Sequence, residues 1–166
     1  ELNNDSIPCF ESLSDLKDKS LDLIVSFHTL EHLPNPVDFL KSMKKKIKVG
    51  GHVIIEVPHA NDFLLSDQLN LNEVKKFTLW SQHLLLHTRA SLKVMLQHCG
   101  YQEILIEGVQ RYPLSNHLHW LLKGEPGGHK SSFSFLEDEQ LKVAYGNALR
   151  KVDSTDTITA IASVSD

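Results

Sequence analysis

Residues 22–36 have the sequence DLIVSFHTLEHLPNP, in which an apolar run is followed by polar residues and two prolines. The apolar, largely β-branched run Leu21–Phe27 predicts a strand that is buried on both faces, as strands of a parallel sheet are. A helix is predicted to follow, because Asn35 is a suitable N-cap and Pro36 suits the first helical position. The stretch therefore predicts a strand, a short loop and a crossover helix.

The rest of the chain continues this alternation of strands and helices. The first helix is predicted to run to Gly50–Gly51. Its apolar stripe consists of Val37, Leu40, Met43 and Ile47. Thr88 is predicted to cap a second helix that ends at Gly100. The other predicted elements are strands at His52–Val57, Tyr101–Gln110 and Thr157–Val164 and a polar helix over about 137–151. The alternation predicts the α/β class with a mainly parallel sheet, whose last strand pairs antiparallel with its neighbour.

The composition is that of one globular domain. The chain has 166 residues, of which 41% are hydrophobic and 23% charged, which is enough to bury a core. A net charge of -4 gives no indication of nucleic acid or an anionic membrane as partner. No apolar stretch is long enough to span a bilayer. The two cysteines, Cys9 and Cys99, are predicted to be buried, and their scarcity favours a cytoplasmic setting.

Four segments together resemble the class I methyltransferases. Asp22–Pro36 is similar to the fourth strand of that family and its Leu-Glu-His step, in the branch that includes ubiquinone-biosynthesis and sugar methyltransferases. Gly50–Pro58 resembles the fifth strand, Gln82–Thr88 the approach to the next helix, and Gly100–Tyr101 the entry to strand six. The resemblance covers roughly residues 5–110 and the closing strand. It implies a three-layer Rossmann-like fold, S-adenosylmethionine as cofactor, and methyl transfer to an oxygen or a carbon of a small polar acceptor.

The Gly-rich cofactor loop of that family is missing from the sequence. The family needs this loop because the backbone must approach the ligand closely, yet no G-x-G-x-x-G occurs here. The sequence begins near the family's third strand, which we place at Ile7–Phe10. We expect the natural chain to continue upstream, since a sheet without its central strands exposes apolar edges. Residues 1–166 would then be a single, partial methyltransferase domain that binds the cofactor weakly on its own. The alternative is a degenerate, non-catalytic binding module.

The residues His28-x-x-Glu31-His32 also match the H-x-x-E-H motif of zinc peptidases. That chemistry needs both histidines on one face of an α-helix, where they share the metal. A β-branched strand precedes His28 and Pro34 follows closely, so no such helix is expected. The zinc-peptidase interpretation is therefore the least favoured.

Functional side chains are expected at the carboxyl end of the first strand, where open α/β sheets bind ligands. The resemblance implies that Ser26, Phe27 and His28 line the cofactor. Glu31 and His32 then face the acceptor, where a histidine can take the proton of a hydroxyl group and a carboxylate can orient it. Alternatively, Glu31 and His32 only brace the helix that follows.

His83 is the third predicted catalytic residue, beside Glu31 and His32. It matches a position at which small-RNA 2′-O-methyltransferases of this superfamily hold a divalent metal together with Glu and His side chains. Those relatives have a further Glu where this chain has His28. A set of His and Glu ligands suits a transition metal better than magnesium. A divalent metal is the lesser expectation, and a structural role for His83 is the alternative.

The segment at about 111–156 is predicted to be an insertion on the substrate side. Its first part collects five side chains that suit a hydroxyl-rich acceptor: Arg111, Tyr112, Asn116, His117 and Trp120. Arg111 could grip a phosphate or carboxylate, and Trp120 could stack on a sugar. The pattern resembles methyltransferases associated with surface-polysaccharide biosynthesis, which implies a nucleotide sugar or glycan intermediate as acceptor. The alternative, equally favoured, is that the segment is an insertion whose aromatic rings pack on the domain or on a partner subunit.

Overall fold

The structure, a computed structural model, describes residues 8–130 and 133–165. Its sheet contains four strands, β1 Leu21–Phe27, β2 Ile47–Pro58, β3 Gln102–Val109 and β4 Thr157–Ser163. The α-helices are α1 Pro36–Lys46, α2 Asn72–Thr78, α3 Arg89–His98, α4 Leu114–Lys123 and α5 Glu139–Lys151. Single 3-10 turns separate several of them. The α/β class is confirmed.

The sheet has the order β1-β2-β4-β3. Strands β1 and β2 are parallel and joined by α1, whereas β4 runs antiparallel to both of its neighbours. The prediction that the last strand pairs antiparallel is therefore confirmed. Because β4 runs against β2, its first residue lies beside the last residue of β2, and Thr157 pairs with Pro58.

Strand β1 lies at an edge of the described sheet, and its burial differs from the prediction. The side chains of Leu23, Val25 and Phe27 are 49%, 50% and 55% exposed. The prediction of burial on both faces was wrong for this strand, because Leu23, Val25 and Phe27 alternate along it and so share one face of the sheet, which the described helices leave uncovered there. Residues 8–10, which were placed in a further strand, are irregular, and Ile7 lies outside the described residues.

Helix α1 begins at Pro36 as predicted but ends earlier than Gly50–Gly51. Ile47 already has extended backbone and opens β2, so both glycines lie inside that strand. The apolar run around Ile47 fits either element, and pairing with β1 decides for the strand. Asn35 does occupy the N-cap position, although its side chain makes no capping hydrogen bond.

The core forms where α1 and α3 pack their apolar sides together with the sheet. Leu40 and Met43 from α1, and Leu92 and Leu96 from α3, are fully buried there. Thr88 caps α3 through a hydrogen bond from the Ser91 amide, as predicted. The strands contribute Val53, Ile55, Val57, Ile158, Ala160 and Ala162 to the same core.

The two cysteines differ in their surroundings. Cys99 is buried against the core, as predicted. Cys9 is exposed, so the prediction of burial was wrong for it, because it lies in the irregular stretch that precedes the first described element.

The segment between β3 and β4 contains α4, α5 and two 3-10 turns. The polar helix predicted over about 137–151 is confirmed as α5. Helix α4 lies over residues 63–77, where Trp120 packs with Leu64 and Val74 in a second apolar cluster. In the part of the chain that the structure describes, no helix is long and apolar enough to cross a membrane.

Candidate functional site

The candidate site lies where β1 and β2 end and β4 begins. His28 directly follows β1 and adopts a left-handed backbone conformation with φ of 48°. Its amide donates to the Glu56 carbonyl at 2.9 Å, which fixes the turn to the neighbouring strand. Histidine tolerates this conformation better than most residues, although it still costs free energy. The chain thereby leaves the sheet and enters a single 3-10 turn, Leu30–His32.

His28 stands between two carboxylates and a guanidinium. Its Nδ1 lies 3.4 Å from Glu31 Oε1, and its Nε2 lies 3.1 Å from Glu56 Oε1 and in close contact with the Arg111 guanidinium. The Glu31 carboxylate raises the pKa of His28, although burial and the charge of Arg111 oppose this rise. His28 therefore favours the protonated state in which it pairs with Glu31.

Glu31 is the buried acid of the site, with only 1% of its surface exposed. Neither carboxylate oxygen accepts a hydrogen bond of normal geometry from the described residues. Burial opposes ionisation of Glu31, but His28 and His32 outweigh it and hold the pKa of the carboxyl below its usual value. Because a buried charge without hydrogen bonds costs free energy, Glu31 is a group whose position needs a functional reason.

His32 and His83 present equivalent ring nitrogens beside Glu31. His32 Nδ1 donates to the Gln82 carbonyl at 2.8 Å, and His83 Nδ1 donates to the Thr78 carbonyl at 2.6 Å. In each neutral ring the lone pair then belongs to Nε2. The His32 Nε2 atom lies 3.7 Å from Glu31 Oε1, and the two rings pack with centroids 4.9 Å apart.

The three predicted catalytic residues therefore come together, although 50 residues of sequence lie between His32 and His83. One ligand atom from each of Glu31, His32 and His83 lies within 4.8 Å of the other two, so the set could hold a metal ion. The motif His28-x-x-Glu31-His32 does not form the peptidase helix, since the residues that precede Leu30 are not helical. As expected, the required geometry of two histidines on one helical turn is missing.

A cavity of about 560 Å³ opens beside this cluster and is lined by both His28 and His83. All five residues that were predicted to bind the acceptor line it: Arg111, Tyr112, Asn116, His117 and Trp120. Of the three predicted catalytic residues, however, only His83 is among the residues that line this cavity. Most of the remaining lining is apolar and comes from Pro58, Leu64, Val74, Phe77, Trp80 and Pro126.

Several polar side chains of the cavity are already paired within the protein. The Asn116 side-chain oxygen accepts from the Gly127 amide at 2.8 Å. His117 bonds through Nδ1 to the Tyr145 hydroxyl at 2.7 Å and through Nε2 to Gln110 at 3.2 Å. Burial lowers the pKa of His117 to about 4, so this ring is neutral. Asn116 and His117 therefore hold the insertion in place as well as lining the cavity.

Two aspartates of the cavity escaped the sequence analysis. Asp156 accepts hydrogen bonds from the Arg111 and Tyr112 amides and from Gln110, and so ties the insertion to the start of β4. Burial raises the pKa of Asp62 to about 7, and the nearby Asp156 carboxyl adds to the rise. Asp156 directly precedes the strand Thr157–Ser163, and the antiparallel register of that strand was the one signal that could have located it.

Of the predicted cofactor residues, Ser26 and Phe27 end β1, and their side chains point to opposite faces of the sheet. Phe27 is 55% exposed at the carboxyl end of this edge strand, whereas Ser26 is buried. An exposed aromatic ring at that position offers a packing surface for a nucleoside. His28 instead turns toward Glu31 and the cavity. Phe27 is thus open to a ligand, Ser26 is not, and His28 lines the cavity.

The sequence profile of a family described as a methyltransferase domain matches residues 3–105, more than half of the chain. The chain belongs to this methyltransferase-domain family. Among curated proteins, no sequence matches it.

Solved structures of methyltransferases have the same fold. A SAM-dependent methyltransferase from Archaeoglobus fulgidus is 20% identical with a TM-score of 0.55, over 91% of this chain and 62% of that one. One from Thermotoga maritima is 14% identical with a TM-score of 0.55, over 89% and 57%. Phosphoethanolamine N-methyltransferase 2 from Haemonchus contortus, in complex with S-adenosyl-L-methionine, is 13% identical with a TM-score of 0.54, over 91% and 35%. The fold is thus Rossmann-like, and the chain spans less than two thirds of the length of these relatives.

Proposed function

We propose that the protein transfers a methyl group from S-adenosylmethionine to an oxygen of a small polar acceptor, with a nucleotide sugar or glycan intermediate as the preferred class. One observation carries this proposal. In a methyltransferase domain, a buried carboxylate and two histidines with free Nε2 atoms converge at the carboxyl end of β1, beside a cavity of ligand size. Open α/β sheets bind their ligands at that end.

S-adenosylmethionine, when bound, supplies an electrophilic methyl group, and the chain's own residues handle the acceptor. The acceptor hydroxyl gives up its proton as its oxygen forms the bond to the methyl carbon and the carbon–sulfur bond breaks. His32 Nε2 would receive that proton, and the hydrogen bond from its Nδ1 to the Gln82 carbonyl supports this role, because it leaves the lone pair on Nε2. Glu31, 3.7 Å away, stabilises the imidazolium that results.

On the cofactor side, Phe27 would pack on the nucleoside, and Ser26 would lie beneath it. Phe27 is suited to this role because its side chain is exposed at the carboxyl end of β1, and Ser26 is the residue that precedes it. Neither supplies the close backbone approach of a Gly-rich loop. We therefore expect that the chain by itself binds S-adenosylmethionine only weakly in a calorimetric titration.

The test is the substitution His32→Ala in the full-length protein. Removing a general base lowers turnover by about 10²–10⁴-fold, so we expect a loss of at least about a hundredfold in methyl transfer from labelled cofactor. Cofactor affinity should change by no more than about twofold, because His32 acts on the acceptor. The exposed His98 at the end of α3 gives a matched control, and His98→Ala should keep full turnover.

A different outcome separates this proposal from the non-catalytic binding module. If the full-length protein binds S-adenosylmethionine but methylates no hydroxylated acceptor, the domain acts as a module. If it methylates an acceptor equally well with and without the His32 ring, it is an enzyme whose base lies elsewhere.

The same cluster supports a divalent transition metal as a second candidate. Two Nε2 lone pairs and one buried carboxylate form a mixed set typical of zinc, and both Nδ1 protons are held by backbone carbonyls, as is usual behind metal-ligating histidines. Zinc titration should then raise the unfolding temperature of the chain, and His83→Ala should abolish that rise. An unchanged unfolding temperature leaves the acid–base proposal, which needs no metal.

A further inference from the structure

Two chemically different groups of side chains line the cavity beside the cluster. One group is polar and includes His28, His83 and Arg111. The other group is largely apolar, and four of its members pack together: Leu64, Val74, Phe77 and Trp120. The cavity has a volume of about 560 Å³. This volume is far larger than the space that a single hydroxylated head group would occupy at His83.

Two further polar side chains that line the cavity have few hydrogen-bonding atoms left for a hydroxyl-rich ligand. Asn116 and His117 use their side-chain atoms on Gly127, Tyr145 and Gln110. A sugar that filled the whole cavity would exchange its hydrogen bonds with water for contact with carbon, which costs free energy for every unpaired hydroxyl group.

Two aromatic side chains of the apolar group are exposed to solvent, so a ligand that covered them would bury apolar surface. Phe77 and Trp80 both line the cavity, yet they are 61% and 46% exposed. The ring of Phe77 packs on Trp120 at 5.2 Å between centroids, and Trp80 packs on His83 at 5.8 Å. These contacts form two aromatic pairs along the cavity wall, and the second pair reaches His83.

We propose that the acceptor is amphiphilic, with its hydroxyl-bearing group at His83, whose ring packs on that of His32, and an apolar alkyl or aryl group against Phe77 and Trp80. This inference rests on the proposed function, because it takes the cavity as the acceptor site. The occupant follows from continuity: one cavity joins the proton-accepting cluster to the aromatic wall. Burial of the apolar group of the acceptor then supplies affinity for the cavity, while the few polar groups at His83 orient the reacting hydroxyl.

Asp62, which also lines the cavity, gives it a second polar point of recognition. Its Oδ1 accepts from the Leu64 amide at 2.9 Å, and with a pKa of about 7 the carboxyl is partly protonated near neutral pH. A carboxyl in that state both donates and accepts hydrogen bonds, which suits a hydroxyl group on the ligand.

The first experiment locates an apolar probe, 8-anilinonaphthalene-1-sulfonate, by its fluorescence on binding. We expect Phe77→Ala combined with Trp80→Ala to weaken dye binding at least tenfold. Leu79→Ala combined with Leu84→Ala is the matched control, because these residues are each 55% exposed in the same segment but do not line the cavity. The control should bind within about twofold of the parent. Equal weakening in both variants, or no dye binding at all, overturns the proposal.

The second experiment needs no variant and identifies the apolar group. Methyl, hexyl and phenyl β-glucosides compete with the dye on the unmodified chain. The hexyl or the phenyl compound should displace it at a concentration at least tenfold lower than the methyl compound, and the better of the two distinguishes an alkyl from an aryl group. Equal competition by all three, or none by any, overturns the proposal. Because dye binding needs no methyl donor, a failure of methyl transfer in the full-length protein would refute the proposed function and leave this result standing.

Discussion

We expect Glu31→Gln to change the free energy of unfolding by an amount that depends on pH. Glu31 Oε1 lies 3.4 Å from His28 Nδ1, with side chains 1% and 30% exposed. At an effective dielectric constant of about 20, Coulomb attraction over that distance is about 5 kcal/mol. Desolvation of the carboxylate and the partial exposure of His28 offset much of this, which leaves a net contribution of about 2 kcal/mol.

The pKa shifts define the pH range of this contribution. The pKa of His28 is raised on folding, so its stabilisation is complete below the ordinary histidine value and is lost as the pH rises through the raised value. The pKa of Glu31 is lowered, so its stabilisation is present above the ordinary carboxyl value and is lost as the pH falls through the lowered value. Both groups are charged at about pH 5.5, whereas at about pH 9 the carboxylate is buried beside a neutral ring.

Urea unfolding, followed by tryptophan fluorescence at these two pH values, measures the effect. Glu31→Gln should cost about 2 kcal/mol at about pH 5.5 and close to nothing at about pH 9, since glutamine carries no charge to bury. Glu73→Gln is the control, because Glu73 pairs with Lys76 on the exposed surface of α2, and its effect should not differ between the two conditions. An equal loss for Glu31→Gln at both pH values would refute the ion-pair reasoning.

Three further predictions concern the core and helix α3, and urea unfolding at neutral pH measures each of them. Leu96 is fully buried, so Leu96→Ala should cost about 3 kcal/mol, whereas Val94→Ala on the 65% exposed position of the same helix should change stability by less than about 0.5 kcal/mol. Tyr101→Phe removes the hydroxyl that donates to the Leu40 carbonyl at 2.9 Å in the core and should cost about 1 kcal/mol; an unchanged midpoint would contradict that bond. Thr88→Ala removes the N-cap of α3 and should also cost about 1 kcal/mol, which Thr88→Ser should restore.

Local sequence signals predicted those elements of the fold that short-range interactions determine. Pro36 begins α1 because proline fits the first helical turn, and Thr88 caps α3 through its own hydroxyl. Ile47 shows where such signals fail. Its side chain fits the apolar stripe of a helix and equally the buried face of a strand, and only pairing with Leu21 selects the strand.

The site was predictable in part, because residue type and place on the chain indicated Glu31 and His32. His83 could be assigned to them only through the resemblance, since no local pattern shows that Gln82 lies close enough to hold the His32 ring. Asp62 and Phe77 were missed altogether. They belong to an irregular stretch whose path depends on the packing of Leu64 and Val74 against α4, which no periodic pattern in the sequence records.

The turn at His28 explains why this short sequence gives a site. Had the chain continued as a strand, side chains would alternate, and Glu31 would face away from His28 and His32. The left-handed conformation of His28 and the 3-10 turn that follows place Glu31 instead between the two rings, 3.4 Å from one and 3.7 Å from the other. One carboxylate then serves two histidines with different tasks: His28 pairs with Glu56 at the cavity, where Arg111 also contacts it, and His32 keeps an open Nε2. The arrangement of these side chains thus depends on where β1 ends. The match to the zinc-peptidase motif depends only on residue types and spacing, and it does not record where the strand ends.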